Sequence, residues 1–271
     1  MKRNIWITVS YEGTAYAGFQ RQPVAMTVQK AIEEALLQIT GVSTTLYFVA
    51  RTDAGVHAWG QECTFYTESR VPGDKFKYAL NAILPRDIRV RESREAAEDF
   101  SVRRMNYGKT YAYNIWQDRD VSPFMRRYVW ALGRELNVEK MRAVAAKLVG
   151  RHDFTSFRGN NSVPSDPVRN LMDIRIEAKG QLIRIYVTGE GFLYHMVRNI
   201  AGALADAGQG NLSPEELVNI LKARDRRKLG VTAPAEGLCL LQVYFEPVTE
   251  SDIKATLAQD YWPWTLSLIH I

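Results

Sequence analysis

The chain has 271 residues, 46% hydrophobic and 24% charged, with lysine and arginine outnumbering aspartate and glutamate for a formal net charge of +5. This balance excludes wholesale disorder, supplies a core for one large or two ordinary domains, and suits a polyanionic partner without requiring one. Two distant cysteines (Cys63 and Cys239) and four histidines without an HExxH spacing exclude a disulfide framework, give no support to a metal site, and point to a reducing cytoplasm.

Ile5 to Ser10 alternates Ile5, Ile7 and Val9 against Trp6, Thr8 and Ser10, the pattern of a half-buried strand, and Tyr11-Glu12-Gly13-Thr14 follows as a turn. The apolar stretch after Met1-Lys2-Arg3 is soon interrupted by Glu12 and no apolar run is long enough for a bilayer, so neither export nor a membrane span is expected. After Thr27, Val28, Ile32, Ala35, Leu36 and Ile39 recur at helical spacing up to Gly41. Leu46–Ala50 and Gln61–Tyr66 read as strands on either side of a polar loop. A helix is predicted after Asp74, carrying Phe76, Leu80 and Ile83 and ending before Pro85, then a strand from Ile88 to about Glu98.

The second half repeats this mixture loosely. It offers a strand at Gly108–Trp116, a helix at Val138–Val149 stopped by Gly150, and hairpin arms Arg169–Ala178 and Gln181–Thr188 over Lys179-Gly180. A helix at Phe192–Ala207, another opened by the capping box Ser213-Pro214-Glu215-Glu216, and a strand at Leu238–Phe245 complete it. Strands joined by hairpins as well as helices predict an α+β fold with a largely antiparallel mixed sheet and flanking helices. Its two pseudo-repeated halves are placed at 1–104 and 105–247, with a tail at 248–271. Leu266–Ile271 match the translation of a transposon-end sequencing adaptor and are a candidate artefact, so His270 is assigned no role.

Arg51-Thr52-Asp53-Ala54-Gly55-Val56-His57 gathers a cation, a hydroxyl, a carboxylate, a glycine and an imidazole on a connection between strands. Catalytic groups tend to lie on such connections. Asp and Gly are also ordinary turn residues and Arg-x-Asp an ordinary surface pair, so local chemistry alone decides nothing. Other segments tip the balance: Tyr11-Glu12-Gly13-Thr14 with Gly18-Phe19-Gln20 and Thr27-Val28-Gln29; Ala79-Leu80-Asn81-Ala82 with Leu84-Pro85; Lys109-Thr110-Tyr111-Ala112-Tyr113; Phe192 to Ile200; and Ala233-Pro234-Ala235-Glu236-Gly237-Leu238. In this order, with the Asp53 segment, they resemble the tRNA pseudouridine synthase A family from the first strand to Phe245.

The resemblance implies the pseudouridine synthase fold, with an active cleft between the halves. It implies isomerisation of uridine to pseudouridine at positions 38, 39 and 40 of the tRNA anticodon stem-loop, without cofactor or metal. It also implies a homodimer with one tRNA lying across both subunits. Asp53 aligns with the family's catalytic aspartate, whose carboxylate attacks the ribose C1′ or supports proton removal there while the base is detached, turned and rejoined through C5. Free aspartate, with a pKa of about 3.9, is ionised near neutrality, and a neighbouring cation keeps it so when RNA excludes water.

Arg198 aligns with the basic residue paired to that carboxylate. On a stretch otherwise carrying Phe192, Leu193, Met196 and Ile200, a guanidinium wants an anion. Tyr111 aligns with the tyrosine that stacks on the target base, although strand periodicity alone would make Tyr111 and Tyr113 a core pair. Leu238 aligns with the apolar residue flanking the base on its other side. Arg51 is expected to position Asp53 or hold phosphate, and His57 reads as structural. Because the target base must be flipped out of its stack, basic residues are needed to hold the RNA. Arg103, Arg21, Arg104 and Lys109 are the candidates, with Arg126 and Arg127 behind them. Ala50 and Phe19 stand where the family tends to have glycine and tryptophan, and neither change removes a reacting group. The competing readings are a catalytically silent RNA-binding module and a related synthase with another RNA target. Retention of Asp53, Tyr111 and Arg198 together argues against the first.

Overall fold

The computed structural model of the chain describes residues 2–160, 166–259 and 261, so the segment Leu266–Ile271 lies outside the described residues. The first strand, β1 (Arg3–Tyr11), buries Ile5, Ile7 and Val9 completely, as its alternation demands. Helix α1 (Val28–Thr40) starts at Thr27, whose side chain accepts from Lys30 N, and stops at Gly41 in the left-handed region at φ 70°. Then come β2 (Tyr47–Phe48), β3 (His57–Thr67), α2 (Phe76–Ile83) and β4 (Ile88–Ala96). Both helices lay their apolar stripes, Val28, Ile32 and Leu36 with Phe76 and Leu80, into the core.

The second half runs β5 (Gly108–Trp116), β6 (Trp130–Ala131), α3 (Val138–Ala145), β7 (Gly150–Asp153), β8 (Val168–Lys179), β9 (Leu182–Gly189), α4 (Met196–Gly208), α5 (Pro214–Ala223), β10 (Leu238–Tyr244) and α6 (Glu250–Leu257). All ten strands form one sheet in the order β4-β1-β3-β10-β5-β9-β8-β7, with β2 beside β3 and β6 beside β5. Pairing is antiparallel except at β5·β6 and β3·β10. The mixed, largely antiparallel α+β architecture expected from the hairpins is therefore the one present. The final strand returns to the centre, antiparallel to β5 and parallel to β3, pairing Cys239 with His57 and Leu240 with Ala58. It joins the two halves into one continuous sheet.

Residues of α1 to α5 share a core cluster with one sheet face, whereas Ala112, Tyr186, Cys239, Leu241 and Tyr261 form a cluster on the other, with Leu257 of α6 against it. Several elements differ from expectation for local reasons. The strand expected at Leu46–Ala50 shrinks to Tyr47–Phe48 because the Gln61 side chain pairs with both the N–H and the C=O of Ala50, at 3.1 and 2.6 Å. Helix α3 tightens after Ala145 into i→i+3 bonds, Lys147 N to Val144 O and Leu148 N to Ala145 O, and Gly150 at φ 102° opens β7. The tail expected after residue 247 carries α6, started by a capping box between Thr249 and Asp252.

Candidate active site

Residues 49–56 form the connection into β3, and the chain from Tyr11 to Phe19 lies directly against it. Phe19 N donates to Thr52 O at 3.1 Å, Gly55 N to Tyr16 O at 3.3 Å, and the Tyr11 and Thr52 hydroxyls meet at 2.7 Å. Gly18 sits in the left-handed region at φ 89°, and a Cβ there would stand 2.7 Å from Thr52 O. Only glycine satisfies both conditions. Inside the loop, Val56 N donates to Asp53 O at 3.1 Å and Gly55 takes φ 79°, a tight turn that fixes the backbone bearing Asp53. The early Tyr11–Gln20 motif and the Asp53 motif are thus one packed unit.

Asp53 is approached from the other half of the molecule. Arg198, in the first turn of α4, places Nη1 3.2 Å from Asp53 Oδ2 while its Nε donates to Ala233 O at 2.8 Å. His195 brings Nε2 to 3.4 Å from the same oxygen. The sequence suggested a helix from Phe192, but α4 begins only at Met196, because Tyr194 C=O accepts from Gly159 N at 2.8 Å and His195 adopts φ 61°. That left-handed N-cap stacks the His195 ring on Tyr194, centroids 3.7 Å apart, and turns it onto the carboxylate. Burial pushes the His195 imidazole below its ordinary pKa, the Asp53 charge opposing and the Arg198 charge adding to the shift.

Tyr111 projects from β5, 7% exposed, with its ring edge-on to Phe192 at 5.1 Å. Burial, reinforced by the charge of Asp53, pushes its phenol well above the usual range, so it stays protonated. Leu238 opens β10, and its position depends on Gly237. A Cβ at Gly237 would stand 2.6 Å from the Tyr113 ring, while the Tyr113 hydroxyl donates to Pro234 O at 2.8 Å. Asp53, Tyr111 and Leu238 line one cavity of about 790 Å³, the right scale for a nucleotide and its flanking groups.

A family profile described as tRNA pseudouridine synthase matches residues 7–103 and 144–246 of the chain. Curated relatives cover nearly all of it. It is 41% identical to "tRNA pseudouridine synthase A 2" of Clostridium perfringens over 90% of this chain and 100% of that one. It is 41% identical to "tRNA pseudouridine synthase A" of Acetivibrio thermocellus over the same shares, and 42% identical to that of Citrifermentans bemidjiense over 90% and 98%. The chain belongs to the tRNA pseudouridine synthase family.

The synthase cavity brings together most of the site residues expected from sequence. Arg51, Arg103 and Lys109 line it with Asp53, Tyr111 and Leu238. Asp53 is ion-paired with Arg198 and approached by His195, not by Arg51, which is exposed at the cavity wall. Arg21 and Arg104 are not in the lining, and Arg21 Nε is held by Glu33 at 2.8 Å. His57 has the structural environment expected of it: Nδ1 accepts from Gly13 N at 3.0 Å, and Nε2 faces Arg127 O at 2.8 Å and Glu236 O at 3.2 Å.

Among the basic side chains lining the cavity, sequence reasoning missed three: His195, Arg158 and Arg169. His195 was visible as a helical i, i+3 neighbour of Arg198, although it reaches Asp53 by ending the helix rather than by sharing its face. Arg158 and Arg169 carry no local signal; tertiary structure alone carries them to the cavity. Among the described residues no His, Cys, Asp and Glu group could hold a metal, and no helix is long and apolar enough to cross a membrane.

Proposed function

We propose that this synthase converts uridines at positions 38, 39 and 40 of the tRNA anticodon stem-loop to pseudouridine, with Asp53 as the reacting carboxylate. The observation that carries the reading is the ion pair of Asp53 with Arg198, closed across the two halves beside a cavity that also presents Tyr111. Arg198 gives the carboxylate a counter-charge at 3.2 Å where RNA would exclude its solvation. Tyr111 and Leu238 flank the flipped uracil, and its ribose C1′ meets Asp53. The bond from C1′ to N1 breaks, the base turns, and C5 bonds to C1′ as the proton on C5 is released and N1 takes one up. Flipping costs a few kcal/mol, on the order of one stacked and paired base. Stacking on Tyr111 and phosphate contacts to Arg51, Arg103 and Lys109 offset it, with Arg21 and Arg104 reached by RNA outside the cavity. The enzyme acts in the cytoplasm as a homodimer.

Tritium release from tRNA labelled at uracil C5 tests the chemistry directly. The wild type releases tritium, and Asp53→Ala or Asp53→Asn releases none above background while still binding tRNA. A wild type that binds tightly without release is a silent binding module, which overturns the proposal. Mapping of pseudouridine on total tRNA after treatment with the enzyme checks the three positions, and light scattering checks the dimer.

A further inference from the structure

One corner of the cavity holds two cations with no carboxylate to balance them. Lys109 lies on β5 two residues before Tyr111, and both side chains line the cavity. A strand rises about 3.3 Å per residue, so the two leave one face about 7 Å apart, the span from a nucleoside's base to its own phosphate. Across the ladder from Lys109 stands Gly189, where a Cβ would lie 3.2 Å from the Phe192 ring. The missing side chain lets Phe192 sit against Tyr111.

Arg169, at the start of β8, lines the same cavity and lies beside Gly191, 3.6 Å from where a Cβ would be. Its Nη1 donates to the backbone carbonyls of Asp166 and Val168, both at 2.7 Å, so it is held without being neutralised. Neither Lys109 nor Arg169 has an ion pair among the described residues. Burial, with the repulsion of Arg169 added, pushes the Lys109 ammonium down to about 8. A buried cation beside a second cation is unfavourable until an anion joins them. The other nearby charges do not supply one, since Asp53 is paired with Arg198.

We infer that Lys109 and Arg169 form a clamp for the phosphodiester attached to the flipped nucleoside itself, so that a single strand, β5, presents both the base platform and the phosphate contact. This inference rests on the proposed RNA substrate and deepens it. The clamp fixes the sugar between two points, the base against Tyr111 and the phosphate against Lys109, and so sets the C1′ over Asp53. Recognition of this kind is indifferent to base sequence and selects for a nucleotide that has left its stack.

The test pairs each protein change with one phosphate. Anticodon stem-loops carrying a single neutral methylphosphonate, scanned along the backbone around the target uridine, are bound by the wild type, by Lys109→Met and by Arg169→Gln. A charge-assisted contact of this kind is worth about 10- to 100-fold in affinity. The expected result is that one methylphosphonate next to the target uridine weakens wild-type binding by that factor. Each variant should lose part of that factor on unmodified RNA and bind that methylphosphonate RNA as the wild type does, because the charge its side chain would contact is already gone. Losses that multiply, or two variants that point to phosphates away from the target, overturn the clamp. The outcome is read from binding, so it stands apart from tritium release. An inactive wild type would sink the proposed reaction, whereas an active one without coupling would sink only the clamp.

Discussion

Arg198 and His195 both address Oδ2 of Asp53, at 3.2 and 3.4 Å, which leaves Oδ1 without a donor among the described residues. A carboxylate held by one oxygen is oriented, and in the proposed reaction its other oxygen meets the sugar. His195 is a positioning residue in this arrangement: neutral near pH 7 because burial lowers its pKa, it can offer an N–H without adding a second full charge. His195→Leu is expected to lower kcat by about tenfold while KM for tRNA stays within about twofold, the scale of one weak contact to a charged group. His195→Gln, whose amide reaches to the same depth, should recover most of the loss; single-turnover tritium release separates the two effects. Equal rates for wild type and His195→Leu would refute the role. Little of this was legible from spacing. Asp53 and Arg198 lie 145 positions apart in the chain, and only the resemblance to a family paired them. Tyr111 is a strand residue like any other until its cavity is seen.

Strand β3 shows what an element carries beyond its alternation. One side feeds the core through Cys63 and Phe65, while Glu62 is buried on the other beneath Trp6 and Thr8, whose side chains donate to it. Burial pushes the Glu62 carboxyl up to about 7, with those two hydrogen bonds opposing. A carboxyl raised in the folded state binds its proton more tightly there than in the unfolded chain. It therefore contributes stability fully below the ordinary carboxylate range and loses it as pH rises through about 7. Glu62→Gln removes that titration, so thermal melts should show the variant gaining on wild type between about pH 4.5 and 7, by up to on the order of 3 kcal/mol, and running parallel above. Parallel curves over that range would show that Glu62 is ionised throughout. The sequence carried the long elements well, since β1, α1, β5 and the β8–β9 hairpin have clean periods and clear stops. It failed where tertiary contacts overrule a short pattern. Gln61 replaces a ladder beside Ala50, Gly159 unwinds the start of α4, and β6 has only two residues with no period to read.

At the scale of the whole molecule the proposed reaction needs residues from both ends of the sheet to meet in register, because Asp53 lies on the connection before β3 and Arg198, Tyr111 and Leu238 on α4, β5 and β10. The parallel pairing of β3 with β10 is short, and His57 stands in it, opposite Cys239. Its ring ties Gly13 in the first half to Arg127 and Glu236 in the second. This arrangement needs a bare Nδ1 to accept from Gly13 and a protonated Nε2 to donate, and burial accordingly lowers the His57 pKa. For a histidine lowered in the folded state, the unfolded chain takes up the proton first. The stability that His57 contributes is then intact above about pH 6.5 and is lost as pH falls below it. Glu62 has the opposite sign in an overlapping window, so the two are separated by working in the Glu62→Gln background. There, melting temperature should fall on acidification from about pH 7 to 5, and adding His57→Ala should flatten that slope. The added substitution should also cost about 2–4 kcal/mol at pH 7 through the unsatisfied Gly13 N–H and the cavity left behind. Activity should fall further than folding does, since a shift of about 1 Å between the halves displaces Asp53 from the sugar and is worth about a hundredfold in rate. If the slope is unchanged by His57→Ala, or if the folded fraction of the variant retains full tritium release, the junction is held by the sheet alone and the imidazole does not couple the halves.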